Sequence, residues 1–540
     1  MNGFTGTMVL ARLAARRDRL RLGVWVVSLA LFAGLTTALW ADQFGATGDM
    51  VQEARLAAAS PGIRILGLAT GASVGAYATM RNFVLLACLA ALMSVFTVVR
   101  HTRQGEETGR SELLGAGGVG RHAALAAALL VAVLADAALA LTLALALLAA
   151  GQPAVGAFAA GAAVGAVGAV FGGVGAVTSQ LSSTTRGASG LAAAALGASF
   201  LAAGTANMAG PVDRSGVSVD AGWPAWLSPI GWGQQMRPFA GDRWWPLALA
   251  TTALVTCAVM AGLLAARRDF GQGLLPQRRG RARAPRTLHS PLGLAWRLQR
   301  GVLAGWAVAM LGFGLVMGSM IDQVRASTGS GRDWYTRVGG SAQILDAYRA
   351  SVLQMAAMGA AIYVVQVLLR MAGEEVDGTV EAVLSTATGR TRWALAHAVN
   401  ATVGVTILLG LFAVGVGLAA GAVLGDPVHE VAVLVPATAA QLPAVLAVGA
   451  AVLALVATQR RRAVGPAWVL LIACILVGPM FGTTFSLPQW VQDLSPFAHA
   501  PKAPAVAITA MPVLTTLVAA GVLMAAALIW LRRRDLALPA

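Results

Sequence analysis

The chain has 540 residues, of which 57% are hydrophobic and 11% charged, with a mean hydropathy of +0.73 and a formal net charge of +16. That composition excludes a soluble globule. The apolar residues gather instead into stretches of about 20, the length that crosses roughly 30 Å of hydrocarbon as helix.

In chain order, a basic amphipathic segment comes first. Leu10, Leu13 and Ala14 alternate at helical spacing with Arg12, Arg16 and Arg19, which predicts a short elbow helix at the membrane interface. Arg16-Arg17 ahead of an apolar run also fits a secretion signal, but the run is too long, lacks a small-x-small cleavage site and is followed by eleven more spans. Six spans are predicted at 22–40, 82–99, 123–150, 154–178, 188–209 and 245–266. The fourth places Gly161/Gly165 and Gly168/Gly172 at four-residue spacing, which lets helix backbones approach closely in lipid. The stretch 267–300, with Pro276, Pro285, Pro291, nine arginines and one acid, cannot build a core. Its first part, 267–290, reads as a solvated basic linker. Its last part repeats the elbow: Leu294, Arg297, Arg300 and Trp306 stand 281 residues after Leu13, Arg16, Arg19 and Trp25. Spans at 302–321, 351–369, 393–423, 431–457, 464–485 and 508–531 complete the second half. The expected fold is an all-α polytopic membrane protein of twelve transmembrane helices in two fused six-helix halves, 1–266 and 291–540.

Charge sets the expected orientation. With the N-terminus, the even-numbered loops and the C-terminus on one side, that side holds 28 of the 39 basic residues and 10 of the 23 acidic ones. Short arginine-rich loops stay cytoplasmic, so both termini are expected to face the cytoplasm of a bacterial inner membrane. The basic excess is then a topology and anionic-lipid signal and argues against nucleic acid as a partner. Cys88, Cys257 and Cys474 all fall within spans, so structural disulfides are not expected. The six histidines never fall at metal-ligand spacing, and no carboxylate pair lies within the membrane for acid–base catalysis.

Two phrases occur twice. Glu106-x2-Gly109-x2-Glu112-x7-Gly120-Arg121 recurs as Glu375-x2-Gly378-x2-Glu381-x7-Gly389-Arg390, at an offset of 269. Trp223-x3-Leu227-Ser228-Pro229 recurs as Trp490-x3-Leu494-Ser495-Pro496, at an offset of 267. The first phrase lies between the second and third spans of each half, on the basic side. Its two acids, six residues apart, do not share a helix face, and the glycine between them permits a sharp turn. The second phrase lies on the other side, in long loops rich in Trp and Pro, and suggests short helices re-entering the interface as an external gate region.

The acidic phrase resembles the coupling segment of ABC exporter permeases of the ABC-2 class. With the elbow and the Trp/Pro phrase, the resemblance covers nearly the whole chain. The fused form with its Ala/Arg bias is most similar to permeases described as exporters of polyketide antibiotics of tetronasin type. The resemblance implies that the acidic segments dock on two copies of a separate ATPase subunit, which supplies ATP and Mg. This chain has no Gly-Lys-Ser/Thr loop, and its one lysine, Lys502, lies in Pro501-Lys502-Ala503. The resemblance also implies a path lined by the second and fifth spans of each half. There the chain offers Phe83, Phe96, Phe200 and Asn207, then Tyr363, Gln366, Phe481 and Phe485, suiting a hydrophobic cargo. Asp136 is the one acid within a span, at a cost of about 2.5–3.5 kcal/mol if ionised. Two readings stand for it: a hydrogen bond to a neighbouring helix, or a substrate or proton site. The second would suit a rival function, a proton-coupled twelve-helix drug antiporter.

Overall fold

The computed structural model of the chain describes residues 3–47, 50–115, 117–275, 283–326, 336–479, 482 and 487–534. Among these it is helical, with one isolated bridge between Val212 and Val219. Eleven described helices are long and apolar enough to cross a membrane, and Val464–Val477 is a shorter apolar helix. The protein is a multipass membrane protein. Its contacts divide it into two compact units, Met1–Arg279 and Gly280–Ala540.

In the first unit the long helices are α1 (Thr7–Thr47), α2 (Val74–His101), α3 (Ala123–Ala149), α4 (Ala154–Leu181), α5 (Thr185–Ala209) and α6 (Pro246–Arg267). Their starts are written locally. Ser73 caps α2 by accepting from the Ala76 N–H at 3.1 Å, Thr184 caps α5 through Gly187, and Pro246 opens α6. The expected elbow differs from the structure, because it is not a separate helix. No proline interrupts the 41 residues of α1, so the basic turns run straight into the first span. At 1.5 Å per residue α1 is about 60 Å long, twice the hydrocarbon thickness. Its basic end is pinned sideways: Ala11 and Ala14 pack on Ala127 and Val131 of α3. Asp18, buried, pairs with His101 at 2.8 Å and Arg100 at 3.4 Å at the end of α2.

The core of this unit sits on α2 and α4, the most buried of its helices. A Cβ at Gly161 would lie 2.2 Å from the Ala140 carbonyl oxygen, and one at Gly168 would lie 2.2 Å from Oδ1 of Asp136. Gly161 and Gly165 therefore bring α4 against the backbone of α3, and Gly168 makes room for the Asp136 carboxylate. Asp136 lies inside this contact, buried, and accepts a 2.7 Å hydrogen bond on Oδ2 from Ser94 of α2. Of its two expected readings, the structure shows the hydrogen bond to a neighbouring helix.

The second unit contains α7 (Pro291–Ser319), α8 (Ile344–Val376), α9 (Arg390–Leu424), α10 (Pro427–Gln459), α11 (Val464–Val477) and α12 (Ala510–Arg533). α10 is broken into Pro427–Ala439 and Leu442–Gln459, with Pro436 in the first piece. At the break, the Gln441 side-chain amide donates to the Pro501 carbonyl at 2.9 Å. The expected span at 464–485 is helical for its first 14 residues and leaves helical geometry at Gly478; Phe481 and Phe485 lie outside the described residues. α8 is the most buried helix here. It overruns the expected 351–369 at both ends and carries Glu374 and Glu375 in its last turn, because no breaker intervenes before Gly378.

Gly161→Ala should destabilise the first unit by about 1–3 kcal/mol through forced separation of α3 and α4. Gly190→Ala, on the open face of α5 with nothing within 4 Å of a Cβ, should leave stability unchanged. Thermal unfolding in mild detergent separates the two; equal melting temperatures would refute the backbone contact.

Candidate functional site

The acidic phrase folds the same way in both units at its centre. Gly109 has φ +71° and Gly378 φ +70°, the left-handed region that glycine enters without a steric cost. The expected sharp turn is present. After it come the short helices Arg110–Gly115 and Thr379–Leu384. Before it the units differ. In the first, the helix breaks at Thr102, with φ −113° and ψ −88°, and restarts as Arg103–Glu107. In the second, α8 continues unbroken to Val376.

The two acids of each phrase have opposite fates. Glu106 is enclosed: Arg268 reaches its Oε1 at 2.5 Å and its Oε2 at 2.8 Å, and Arg103 reaches Oε2 at 2.9 Å. Arg103, itself buried, also donates through Nε to the Ser179 carbonyl at 2.9 Å, and Arg268 through Nε to Gln180 at 2.7 Å. In the second unit Glu375 is buried and pairs with Arg534. Glu112 and Glu381, past the glycine, are exposed, and their carboxylates have no hydrogen-bond or ion partner among the described residues.

The Gly-Arg pair closes the same corner. Gly120 N–H donates to the Thr5 carbonyl at 2.9 Å, and Gly389 precedes the first turn of α9. Arg121 donates to the carbonyls of Ala265 at 2.9 Å and Ala266 at 2.8 Å at the end of α6, and to that of Arg268 at 3.4 Å. Arg390 donates to the carbonyl of Arg534 at the end of α12. A helix end has unsatisfied carbonyls and a partial negative charge, so an arginine there satisfies both. In each unit the segment after the second helix is thus clamped to the end of the sixth by a Glu–Arg pair, buried in the second unit and largely enclosed in the first, and by an arginine cap.

Sequence reasoning missed the partners Arg268 and Arg534. The signal was available: Arg267-Arg268-Asp269 recurs as Arg533-Arg534-Asp535, at an offset of 266. The start of the expected solvated linker is also held, because Leu274 and Leu275 N–H groups donate to the Gln180 and Leu181 carbonyls at 3.1 and 2.9 Å.

The Trp/Pro phrase lies at the opposite helix ends. Trp223–Leu227 and Pro229–Gln235 form its short helices in the first unit, and Gln489–Gln492 and Pro496–His499 in the second. Trp223 and Leu227 are 73% and 69% exposed, and Trp490 and Leu494 are each 70% exposed. The serines behind them are fully buried. Ser228 donates to the Ser199 carbonyl of α5 and Ser495 to the Cys474 carbonyl of α11, both at 2.7 Å. The serine fastens the phrase to the fifth helix while its Trp and Leu point outward.

The expected path residues scatter. Phe83 is buried under Gly233, and the Asn207 amide donates to Gln234 at 3.0 Å, so both support the helix that starts at Pro229. Phe200 packs at the edge of the core. Tyr363 is buried and meets Trp306 edge-on at 6.3 Å, and the Trp306 ring N–H donates to exposed Gln366 at 2.9 Å. Phe96 is exposed in a cleft of about 600 Å³ shared with Trp25, Arg17, Arg21, Arg100 and Arg110.

Residues 288–532 match the family model described as the C-terminal domain of the multidrug efflux system permease Rv1217c. Across 541 aligned residues the chain is 36% identical to a Mycobacterium tuberculosis protein named multidrug efflux system permease protein Rv1217c. The alignment covers 99% of this chain and 96% of that protein.

Removing Arg534 takes the ion pair from the buried Glu375, a change that costs about 3–5 kcal/mol, whereas removing Arg268 leaves Glu106 with Arg103 and costs less. Arg268→Gln should therefore expose the 103–115 segment to limited proteolysis in the folded protein, and Arg534→Gln the 375–384 segment. Arg267→Gln, one residue away, should not. Protection of the segment in both clamp variants would rule the clamp out.

Proposed function

The chain belongs to the family of the multidrug efflux system permease Rv1217c, and from that membership we propose that it is the transmembrane subunit of an ATP-driven exporter of the ABC-2 class. Two copies of a separate ATPase subunit bind at its arginine-rich end, hold ATP and Mg, and drive a lipophilic, polyketide-like cargo of tetronasin type across a bacterial inner membrane. Both termini face the cytoplasm. Each half spans the membrane six times, with 464–485 as the eleventh crossing.

The observation that carries this reading is the division of labour within the repeated acidic phrase. Glu112 and Glu381 stand exposed on short helices just past a left-handed glycine, free to take an Arg or Lys of a partner. Glu106 and Glu375, on the inner side of the same glycine, tie those helices to α6 and α12. A partner that moves the outer acid moves the end of a membrane helix. The substrate path runs along the second and fifth helices of each half, with Phe96 and Gln366 the exposed side chains among the described residues expected there. The antiporter reading has less support, because Asp136 is enclosed by α2, α3 and α4.

Protein purified from its native cells in mild detergent should bring an ATPase subunit with it and hydrolyse ATP in a vanadate-sensitive way. Glu112→Ala/Glu381→Ala should leave the amount of permease unchanged. It should lower export of a lipophilic drug at least about tenfold, the factor expected for each charge-assisted hydrogen bond lost. Full transport by that variant, or transport that follows a proton gradient with no ATPase present, would overturn the assignment.

A further inference from the structure

At the start of α7 a groove of about 1050 Å³ opens between the 283–300 segment and Val399, Asn400 and Val403 of α9. We propose that it is a binding site for one anionic phospholipid, whose phosphate sits on Arg283, Arg297 and Arg300 and whose acyl chain runs up α9.

Charge is the first argument. Neither residues 283–300 nor α9 contains a single Asp or Glu. The carboxylate closest in the hydrogen-bond chain, Glu374, is taken by Trp393 at 3.0 Å, His397 at 3.3 Å and Arg370 at 3.2 Å. Arg103, Arg268, Arg370 and Arg534 at the same ends of their units all have carboxylate partners. Arg283, Arg297 and Arg300 are exposed and have none among the described residues. Three guanidiniums lining one groove without a counter-charge repel one another, and a phosphate relieves that repulsion bidentately.

Shape is the second. Leu395, Val399, Val403 and Ile407 follow one another at four-residue spacing along α9, each between 37% and 44% exposed. They make an apolar rail, of which Val399 and Val403 line the groove together with the arginines and Leu395 and Ile407 extend it along α9. Trp296, 40% exposed, stands where the two meet, the position an amphipathic ring takes at a membrane interface. A soluble phosphate has no use for the rail, and an uncharged lipid none for the arginines. The walls are fixed: Gln299 bonds the His397 ring at 2.9 Å, and the Asn400 amide donates to the Leu292 carbonyl at 3.3 Å. The groove is therefore preformed.

The test is native mass spectrometry of the purified full-length protein, delipidated and titrated with phosphatidylglycerol or phosphatidylcholine. The wild type should retain one phosphatidylglycerol in preference. Arg297→Gln/Arg300→Gln should lower that preference by roughly five-fold per arginine. Arg286→Gln, an exposed arginine of the same segment outside the groove, should leave it unchanged. Val399→Ser/Val403→Ser should weaken lipid retention without changing the response to glycerol phosphate. If the double glutamine variant does not survive purification, Trp296→Ala reads the same preference and should lower it several-fold. Equal retention of the two lipids by the wild type, an equal loss in Arg286→Gln, or an unchanged preference in the groove variants would overturn the proposal. Displacement of the lipid by glycerol phosphate at matched concentration would overturn it in favour of a soluble anion.

Discussion

A carboxylate buried at the end of a membrane helix must be paired, and much of the arginine-rich end of each unit is arranged around that requirement. Glu375 is buried and Glu106 largely enclosed at the point where the chain leaves its second helix. An unpaired charge there would cost several kcal/mol. Each unit pairs it with the arginine that ends its sixth helix, and each then caps the carbonyls of that end with a second arginine, Arg121 or Arg390. One interaction therefore ties together three regions far apart in sequence: the loop after the second helix, the start of the third and the end of the sixth. In the first unit it gathers a fourth, because Arg268 and Arg103 also bind the end of α4 through Gln180 and Ser179.

Much of this was legible in the sequence, because membrane spans announce themselves by length and repeats by identity. Eleven described helices fall where apolar stretches predict spans, the expected 464–485 is helical only over Val464–Val477, and the turn at Gly109 and Gly378 follows from the glycine itself. What could not be read was which acid of the pair faces inward. Glu106 and Glu112 are the same residue type in the same short segment, and only the position of Arg268, some 160 residues later, distinguishes them. The elbow failed as a separate element for a related reason. Its amphipathic pattern is real, but the face that looked ready for lipid headgroups is partly used against α3 and by the buried Asp18. Pattern gives a helix its polar and apolar sides; it does not say what covers them.

The Trp/Pro phrase teaches the complementary lesson. Its conspicuous residues, the Trp and Leu, are the ones that touch least of the protein, while the plain serine between Leu and Pro is fully buried and does the fastening. Two of the aromatic and amide side chains expected to line a path, Phe83 and Asn207, turn out to support this phrase from below. A polar residue in a span has to satisfy its hydrogen bonds within the protein, and the nearest partner is more often structural than a ligand.

The two units solve the same problem with different stiffness. In the second, α8 runs unbroken from Ile344 to Val376, so Glu375 sits on a continuous rod that meets Arg534 at the end of α12, and Glu374 braces it against α9 through Trp393 and His397. In the first, the backbone breaks at Thr102, and side chains hold the segment beyond to the rest of the unit: Arg103 to α4, Glu106 to Arg268, and Glu107 to the start of α5 through the Thr185 N–H at 3.0 Å. On the proposed reading, a displacement applied at Glu381 reaches the middle of the second unit along a helix axis. The same displacement at Glu112 is shared among α4, α5 and α6 and bends at Thr102 before it reaches α2. A symmetric pair of motors acting on this chain would produce an asymmetric motion, because the clamp was kept in both halves while the helix leading to it was not.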